Sequence, residues 1–258
     1  ISLILPGNSS CKILNSKGDE TMTAIDKNDL AMLQKAKKNL SAMDLSGANL
    51  EGIDLSFGNL ISTNFKESNL KNGNFASSKL DSADFTKADL SCADFSGAKM
   101  FKTIFFQAKL SETNFTEADL MGANLSSANL SGANLSLCTL TEANLIDSDL
   151  TGANLKGSKL IGRFTREGYF SRGANLTRCI LKEADLSQTD CHGVDIPDTD
   201  LRGVNLSNAN LLEHHFFIIL KLADSNGKVI LLNPTSAKRD ITSSSGTNQP
   251  GLLLFLTK

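Results

Sequence analysis

The runs SADFTKADLSCADF (residues 82–95) and MGANLSSANLSGANL (residues 121–135) carry Leu or Phe at every fifth position. The same spacing extends from Leu40 to Leu160, with Met100 as the single substitute. Two residues before nearly every central residue stands a small side chain, most often Ala, and the residue between them is usually Asn or Asp. So strict a period over more than a hundred residues predicts a stack of repeated structural units.

The polarity within one repeat indicates its local conformation. The central residue and the small residue are two positions apart, so in an extended segment both point inward while the intervening Asn or Asp points outward. A period of five drifts around a helix of 3.6 residues per turn, which excludes one long helix. The two residues after each centre are of the Ser-Gly or Thr-Glu kind and suit a turn. The chain is therefore expected to alternate short extended steps with corners.

These repeats resemble the pentapeptide-repeat family, whose motif is A(D/N)LXX. The resemblance covers residues 39–160 and, less regularly, residues 174–211. It implies an all-β fold, a right-handed quadrilateral parallel β-helix with one repeat on each side and twenty residues in each coil. Period and polarity alone leave three and four sides open.

Four sides would place residues twenty apart in one column. We therefore expect strict alternation of two opposite phenylalanine columns in the middle coils, with leucine in the other two columns. One column would hold Phe65, Phe85 and Phe105, and the other Phe75, Phe95 and Phe115.

The two ends depart from the repeat. Residues 1–38 form an N-terminal segment, in which DKNDLAMLQKAKK (26–38) predicts a short amphipathic helix that caps the open end of the solenoid. In the C-terminal segment, residues 212–258, two apolar runs (216–222 and 228–232) around an Asn-Gly turn predict a β-hairpin, followed by a flexible tail. The hairpin is expected to close this end or to pair two copies as a homodimer.

The repeat phase breaks between the two blocks, at residues 161–173. Sixteen residues separate Leu160 from Leu176, one more than three repeats. The break has two interpretations, a tolerated surface loop or one-residue bulge and a contact loop. The second interpretation rests on side chains typical of interfaces. They are Arg163, Arg166, Tyr169 and Arg172.

The corner positions contain an apolar anomaly. These positions should be polar, yet several carry large apolar side chains that a period of twenty places on one side of the rod, and one outward Asn/Asp position is also replaced. An apolar strip of this kind is typical of a protein-binding surface, unless residues 1–21 or the C-terminal hairpin cover it. The residues of this candidate partner surface are Ile61, Phe101, Ile104, Phe106, Met121, Ile146 and Ile161.

Composition narrows the classes of function. The 258 residues have a formal net charge of −2, so nucleic acid is an improbable partner. The five cysteines have no framework spacing, and those at inward positions are expected to be buried free thiols, which suits a cytoplasmic protein. No segment is long enough for a membrane span. No catalytic, cofactor-binding or metal-ligating constellation stands out, so we expect no enzyme and no cofactor.

Two functions remain. The first is a non-enzymatic scaffold for protein–protein interaction, with a protein partner of unknown identity. The alternative is suggested by the resemblance, because some pentapeptide-repeat proteins are DNA mimics that bind DNA gyrase or topoisomerase and protect it from inhibitors. Against the alternative, one surface row mixes uncharged, basic and acidic side chains, which a phosphate mimic would avoid. That row contains Asn39, Asn59, Lys79, Lys99, Asp119 and Lys159.

Overall fold

The computed structural model describes residues 39–162, 173–194 and 196–210, together with three short strands outside this range. Four strands have defined bounds, and the rest of the stack is held by single bridges between coils. In chain order the strands are β1 (Cys11–Lys12), β2 (Met43–Asp44), β3 (Leu220–Ala223) and β4 (Val229–Leu232).

The repeats wind into a parallel β-solenoid with four sides. Asn64 pairs in parallel with Asp84, and five residues later Asn69 pairs in parallel with Asp89, so each coil takes twenty residues and makes four such pairings. The central residues of the first block, Leu40 to Leu160, are at most 1% exposed and form one continuous core. The expectation of a pentapeptide-repeat solenoid with twenty residues in each coil is confirmed.

The four sides are named here by the central residue that each contributes to one coil. Face A contains Leu60, face B Phe65, face C Leu70 and face D Phe75, and each face continues in steps of twenty residues. A corner is named by the two faces that it joins, so that corner AB follows the central residue of face A.

Each corner is a β-turn with one residue in the left-handed region. At one such corner the N–H of Thr63 donates to the carbonyl oxygen of Leu60 (3.1 Å), and Ser62 has φ of +57°. A positive φ at the third residue is the mark of type II turns, where glycine is favoured. Many corners nevertheless place a non-glycine residue there, including Phe57 (φ +58°). The pairing of every coil with its neighbours offsets this local strain.

The phenylalanine columns are confirmed. Phe65 and Phe85 stack with ring centroids 4.8 Å apart and an interplanar angle of 3°. Between the two opposite columns the rings meet edge to face, as Phe85 and Phe95 do at 5.7 Å and 85°. The spacing within a column matches the separation of about 4.8 Å between neighbouring β-strands. The core of the middle coils is therefore two stacks of flat rings at right angles.

The phase break is an insertion at one corner, and the one-residue bulge is excluded. Asn144 pairs with Asn175, so this coil takes 31 residues instead of 20, eleven more than its neighbours. The N–H of Ala174 donates to the carbonyl oxygen of Leu160 (2.7 Å), which is the hydrogen bond that closes an ordinary corner. The chain thus leaves the stack at corner AB and returns to the same corner without a change of phase.

The N-terminal edge of the stack is paired by a distant segment. Strand β1 runs parallel to β2, with Cys11 opposite Met43 and Lys12 opposite Asp44. This pairing extends face B by one layer and covers backbone groups that an open edge would expose. The predicted capping helix at residues 26–38 lies outside the described residues.

At the other end of the chain, β3 and β4 pair in an antiparallel manner, with Leu220 opposite Leu232 and Ala223 opposite Val229. The two strands overlap the apolar runs at residues 216–222 and 228–232, and the predicted hairpin as a whole stays a prediction. The predicted turn lies outside the described residues. Closure of the solenoid end and dimerisation stay predictions for this element.

We predict that Phe95→Ala destabilises the solenoid by about 3–5 kcal/mol, because it removes one ring from a closely packed stack. Phe95 is completely buried and lies 4.7 Å from Phe75 and 5.2 Å from Phe115 between ring centroids. Chemical denaturation followed by far-UV circular dichroism measures the loss. Asn129→Asp is the control, because the exposed carboxylate keeps the oxygen that accepts from the N–H of Ser131. Equal losses in both variants would contradict the packing described here.

We predict that Gly173→Ala destabilises the solenoid by more than Gly152→Ala. A β-carbon at residue 173 would lie 2.6 Å from the carbonyl oxygen of Leu160 and 2.8 Å from that of Gly193, so the backbone must shift. A β-carbon at residue 152 meets nothing within 4 Å, and its cost is the positive φ alone, about 1–2 kcal/mol. Thermal unfolding of both variants measures the order, and the reverse order would show that the chain does not re-enter the stack here.

Candidate functional site

Among the described residues no group of three His, Cys, Asp or Glu side chains comes close enough to hold a metal ion. The inward cysteines are free thiols with a packing role. The Sγ atom of Cys138 donates to the carbonyl oxygen of Phe115 (2.7 Å) and that of Cys179 to the carbonyl oxygen of Leu145 (2.7 Å). Burial raises the pKa of Cys138 and Cys191 to about 12 and that of Cys179 to about 11. These three thiols are therefore poor nucleophiles at neutral pH.

The outward Asn and Asp side chains form hydrogen-bonded ladders along the faces. In most repeats the Oδ1 atom accepts the N–H of the residue two positions on, as Asp84 does from Thr86 (2.9 Å). The same oxygen can also accept from the next coil, as Asp94 does from Nδ2 of Asn114 (2.9 Å). Each such bond contributes about 0.5–1.5 kcal/mol, so a residue that cannot accept carries a local cost.

One coil loses this ladder on three successive faces. The outward residue is Lys99 on face A, Ile104 on face B and Lys109 on face C. None of these side chains can accept a hydrogen bond. The N–H of Phe101 donates instead to Oδ1 of Asp81 in the preceding coil (3.0 Å). In the described part of the solenoid, every other coil loses at most two of its four ladder positions. This coil therefore departs most from the structural rule of the repeat.

The same coil brings together an apolar patch, defined as Phe101, Ile104, Phe106 and Met121. Ile104 lies on face B, with Phe101 at corner AB and Phe106 at corner BC of the same coil. Met121 follows Phe101 in the column of corner AB, and its carbonyl oxygen accepts the N–H of Lys102 (3.0 Å). All four side chains of the patch are partly exposed.

Three lysines border the patch on the side of face A. Lys79 and Lys99 are direct partners in adjacent coils, and Lys102 holds its Nζ atom 5.1 Å from the ring centroid of Phe101. Within the described part of the chain none of the three forms an ion pair. Like charges directly opposite each other are destabilising. The fold itself therefore gains nothing from placing Lys79 beside Lys99.

On face B the acidic side chain that precedes Ile104 by one coil already forms an ion pair. Asp84 forms an ion pair with Lys66 at 3.1 Å. Its partial burial raises the pKa, but hydrogen bonds from Thr86 and the contact with Lys66 outweigh burial, so the pKa lies below its ordinary value. At physiological pH Asp84 is therefore ionised, and the charge of Lys66 balances its charge beside the patch.

The remaining residues of the predicted strip lie on the same side of the solenoid but apart from the patch. Asp81 stands between Ile61 and Phe101 in the column of corner AB, and Thr141 stands between Met121 and Ile161. In the column of corner BC, Ser126 separates Phe106 from Ile146. The continuous apolar area is thus limited to four of the seven predicted residues. The predicted contact-loop residues Arg163, Arg166, Tyr169 and Arg172 lie outside the described residues.

Three exposed apolar side chains are absent from the predicted strip. Phe57 is 78% exposed, Leu137 57% and Ile180 42%. Phe57 and Leu137 occupy the second corner position, and Ile180 occupies the outward position of face C. The sequence signal that marks them is an apolar residue at one of these two positions, which are usually polar. They lie in three separate coils and form no patch.

A model of pentapeptide repeats matches the chain in eight copies, over residues 39–72, 74–105, 105–136, 118–157, 172–203 and 184–216. The chain belongs to the pentapeptide-repeat family. No curated protein matches its sequence. The described part of this pentapeptide-repeat chain contains no helix long and apolar enough to traverse a bilayer.

Several solved structures of pentapeptide-repeat proteins are similar to this chain. HetL of the cyanobacterium Nostoc sp. strain PCC 7120, involved in the regulation of heterocyst differentiation, is 24% identical over 80% of this chain and 100% of its own, with a TM-score of 0.31. A trypsin-treated variant of QnrB1, a plasmid-mediated fluoroquinolone resistance protein, is 21% identical over 73% of this chain and 88% of its own, with a TM-score of 0.42. Rfr23 of the cyanobacterium Cyanothece 51142 is 30% identical over 50% of this chain and 64% of its own, with a TM-score of 0.22.

We predict that iodoacetamide alkylates Cys92 in the native protein and leaves Cys138, Cys179 and Cys191 unmodified. Cys92 is exposed at a corner, whereas the other three are buried and their thiol pKa values are raised. Mass spectrometry of proteolytic peptides after alkylation, with and without denaturant, identifies each modified residue. Native labelling of Cys138, which is packed beside the phenylalanine core, would contradict the packing.

Proposed function

We propose that this pentapeptide-repeat protein is a non-enzymatic scaffold that binds a protein partner through the apolar patch. The observation that carries the proposal is the coil of residues 99–109. It replaces the outward Asn or Asp on three faces and places Phe101 and Phe106 at its corners, with Met121 next to Phe101 in the same column of the following coil. A cluster of apolar side chains that remains partly exposed, and in which Ile104 also forgoes a hydrogen bond of the ladder, is typical of an interaction surface.

The shape of the molecule supports this proposal. A solenoid holds its side chains at fixed intervals on flat, backbone-paired faces, so a partner meets a surface that is already organised. Corner AB carries Phe101 and Met121, and the eleven-residue insertion leaves the stack at the same corner, two coils beyond Met121. The patch and the insertion therefore share one corner of the solenoid.

The gyrase-binding alternative has weaker support. A mimic of the phosphate backbone needs a sustained acidic row, whereas face A places Lys79 and Lys99 next to Asp119. The formal net charge of −2 on 258 residues is also small for such a mimic. Cytoplasmic location and homodimerisation remain part of the proposal and follow from the buried free thiols and from the apolar hairpin, respectively.

We predict that Phe101→Asp/Phe106→Asp/Met121→Asp abolishes capture of a specific protein partner from a bacterial lysate, because the three charges would have to be buried at the interface. Immobilised wild-type and variant proteins are compared by quantitative mass spectrometry. The matched control is Ser111→Asp/Thr116→Asp/Ser131→Asp, which adds the same charges half a coil away on the opposite corners. Circular dichroism checks that both variants stay folded.

A partner lost from the patch variant and kept by the control supports the scaffold proposal. A topoisomerase among such partners would favour the alternative function. Identical capture by all three proteins would contradict the role of the patch.

A further inference from the structure

We infer that the apolar patch and Lys79, Lys99 and Lys102 form one site for a polypeptide segment that combines apolar anchors with acidic side chains. This inference rests on the proposed function and specifies the chemistry of the partner. The two halves of the site are contiguous, because Lys99 and Phe101 belong to one repeat step and Lys102 contacts the Phe101 ring.

The three lysines provide the charge complementarity. Lys79 and Lys99 are exposed and face each other across adjacent coils, where their mutual repulsion is unrelieved by any ion pair in the described part of the chain. Neighbouring lysines are paired: Lys66 of the preceding coil lies 3.1 Å from Asp84, and Lys109 of the same coil as Lys99 lies 3.4 Å from Asp89. An acidic side chain placed between Lys79 and Lys99 would relieve the repulsion and gain two attractive contacts at once.

The acidic residues nearest to these lysines accept hydrogen bonds from the backbone. Asp81 accepts the N–H of Phe101 (3.0 Å), and Asp119 accepts the N–H of Met121 (3.1 Å). Both carboxylates thereby hold the corner that presents the apolar side chains. They position the patch, and in the described part of the chain neither forms an ion pair with any of the three lysines.

The apolar half of the site indicates a polypeptide and argues against a nucleic acid. Ile104, between Phe101 and Phe106 in the chain, presents a partly exposed apolar side chain on face B, which suits Leu, Met or aromatic side chains of a partner. A phosphate backbone would require a longer row of cations, but the row of face A continues from Lys99 to Asp119 and Thr139. A segment with both acidic and apolar side chains would bind the lysines through the former and the apolar patch through the latter.

Selection from a phage-displayed library of random short peptides tests this inference. The wild-type protein is the bait, and Phe101→Ser/Phe106→Ser/Met121→Ser, which leaves the charge unchanged, serves for counter-selection. We expect the patch-dependent peptides to be enriched in Asp and Glu together with Leu, Met or aromatic residues, relative to the library.

The affinity of one such synthetic peptide then measures the role of the lysines. We expect Lys79→Ser/Lys99→Ser/Lys102→Ser to weaken binding about tenfold in fluorescence anisotropy. The control Lys156→Ser/Lys159→Ser/Lys182→Ser, with the same net charge, should leave binding unchanged. Binding to the wild type should also weaken as ionic strength rises from about 0.05 to about 0.5 M.

The outcomes separate this inference from the proposed function. Patch-dependent peptides that are basic or uncharged, or an affinity that the lysine variant and its control lower equally, would overturn the acidic partner and leave the patch as a docking surface. The absence of any patch-dependent peptide would overturn both. A nucleic acid that binds the wild type and is lost in the lysine variant alone would likewise overturn the polypeptide partner.

Discussion

Parallel backbone pairing between successive coils is the interaction on which the rest of this structure depends. It is repeated on four faces and draws every central residue into the core while each Asn or Asp side chain points outward. It also holds non-glycine residues in the left-handed region at most corners, a conformation that isolated L-residues avoid at a cost of about 1–2 kcal/mol. Because the strain is local and the pairing is collective, the corners tolerate almost any side chain. This tolerance gives the molecule a surface whose chemistry can change without a change of fold.

The sequence predicts the periodic features of the fold well. The five-residue period gives the buried and exposed positions, and the pairing of Phe65 with Phe85 follows once the number of sides is known. The number of sides came from the family resemblance, since three and four are equally compatible with one period. The pairing of Cys11–Lys12 with Met43–Asp44 was missed, because two residues that lie far along the chain from their partners carry no periodic signal. Non-periodic contacts of this kind depend on tertiary structure.

The candidate site was predicted in part, for a related reason. Apolar residues at the first corner position stand out against the repeat, so Phe101 and Met121 could be identified from the sequence. The sequence shows the lysines of the site only as part of a surface row with both basic and acidic side chains. It does not show that Lys79 and Lys99 lack an ion pair within the described residues, because that depends on the three-dimensional structure. In the structure Asp81 accepts the N–H of Phe101 and forms no ion pair with any lysine of the site in the described part of the chain. The sequence gives the charges along a face, whereas the pairing of those charges depends on the three-dimensional structure.

The corner between Leu160 and Ala174 shows that the length of a connection between two faces does not affect the geometry of the stack. The hydrogen bond that closes an ordinary three-residue step closes this one as well, although eleven more residues lie between the same two atoms. Insertion and deletion at corners are thus nearly independent of the core, and a lineage of such proteins can acquire new recognition segments while its solenoid stays constant. For protein engineering, the same corner is a suitable insertion site for a grafted loop or for a small domain whose two ends lie close together.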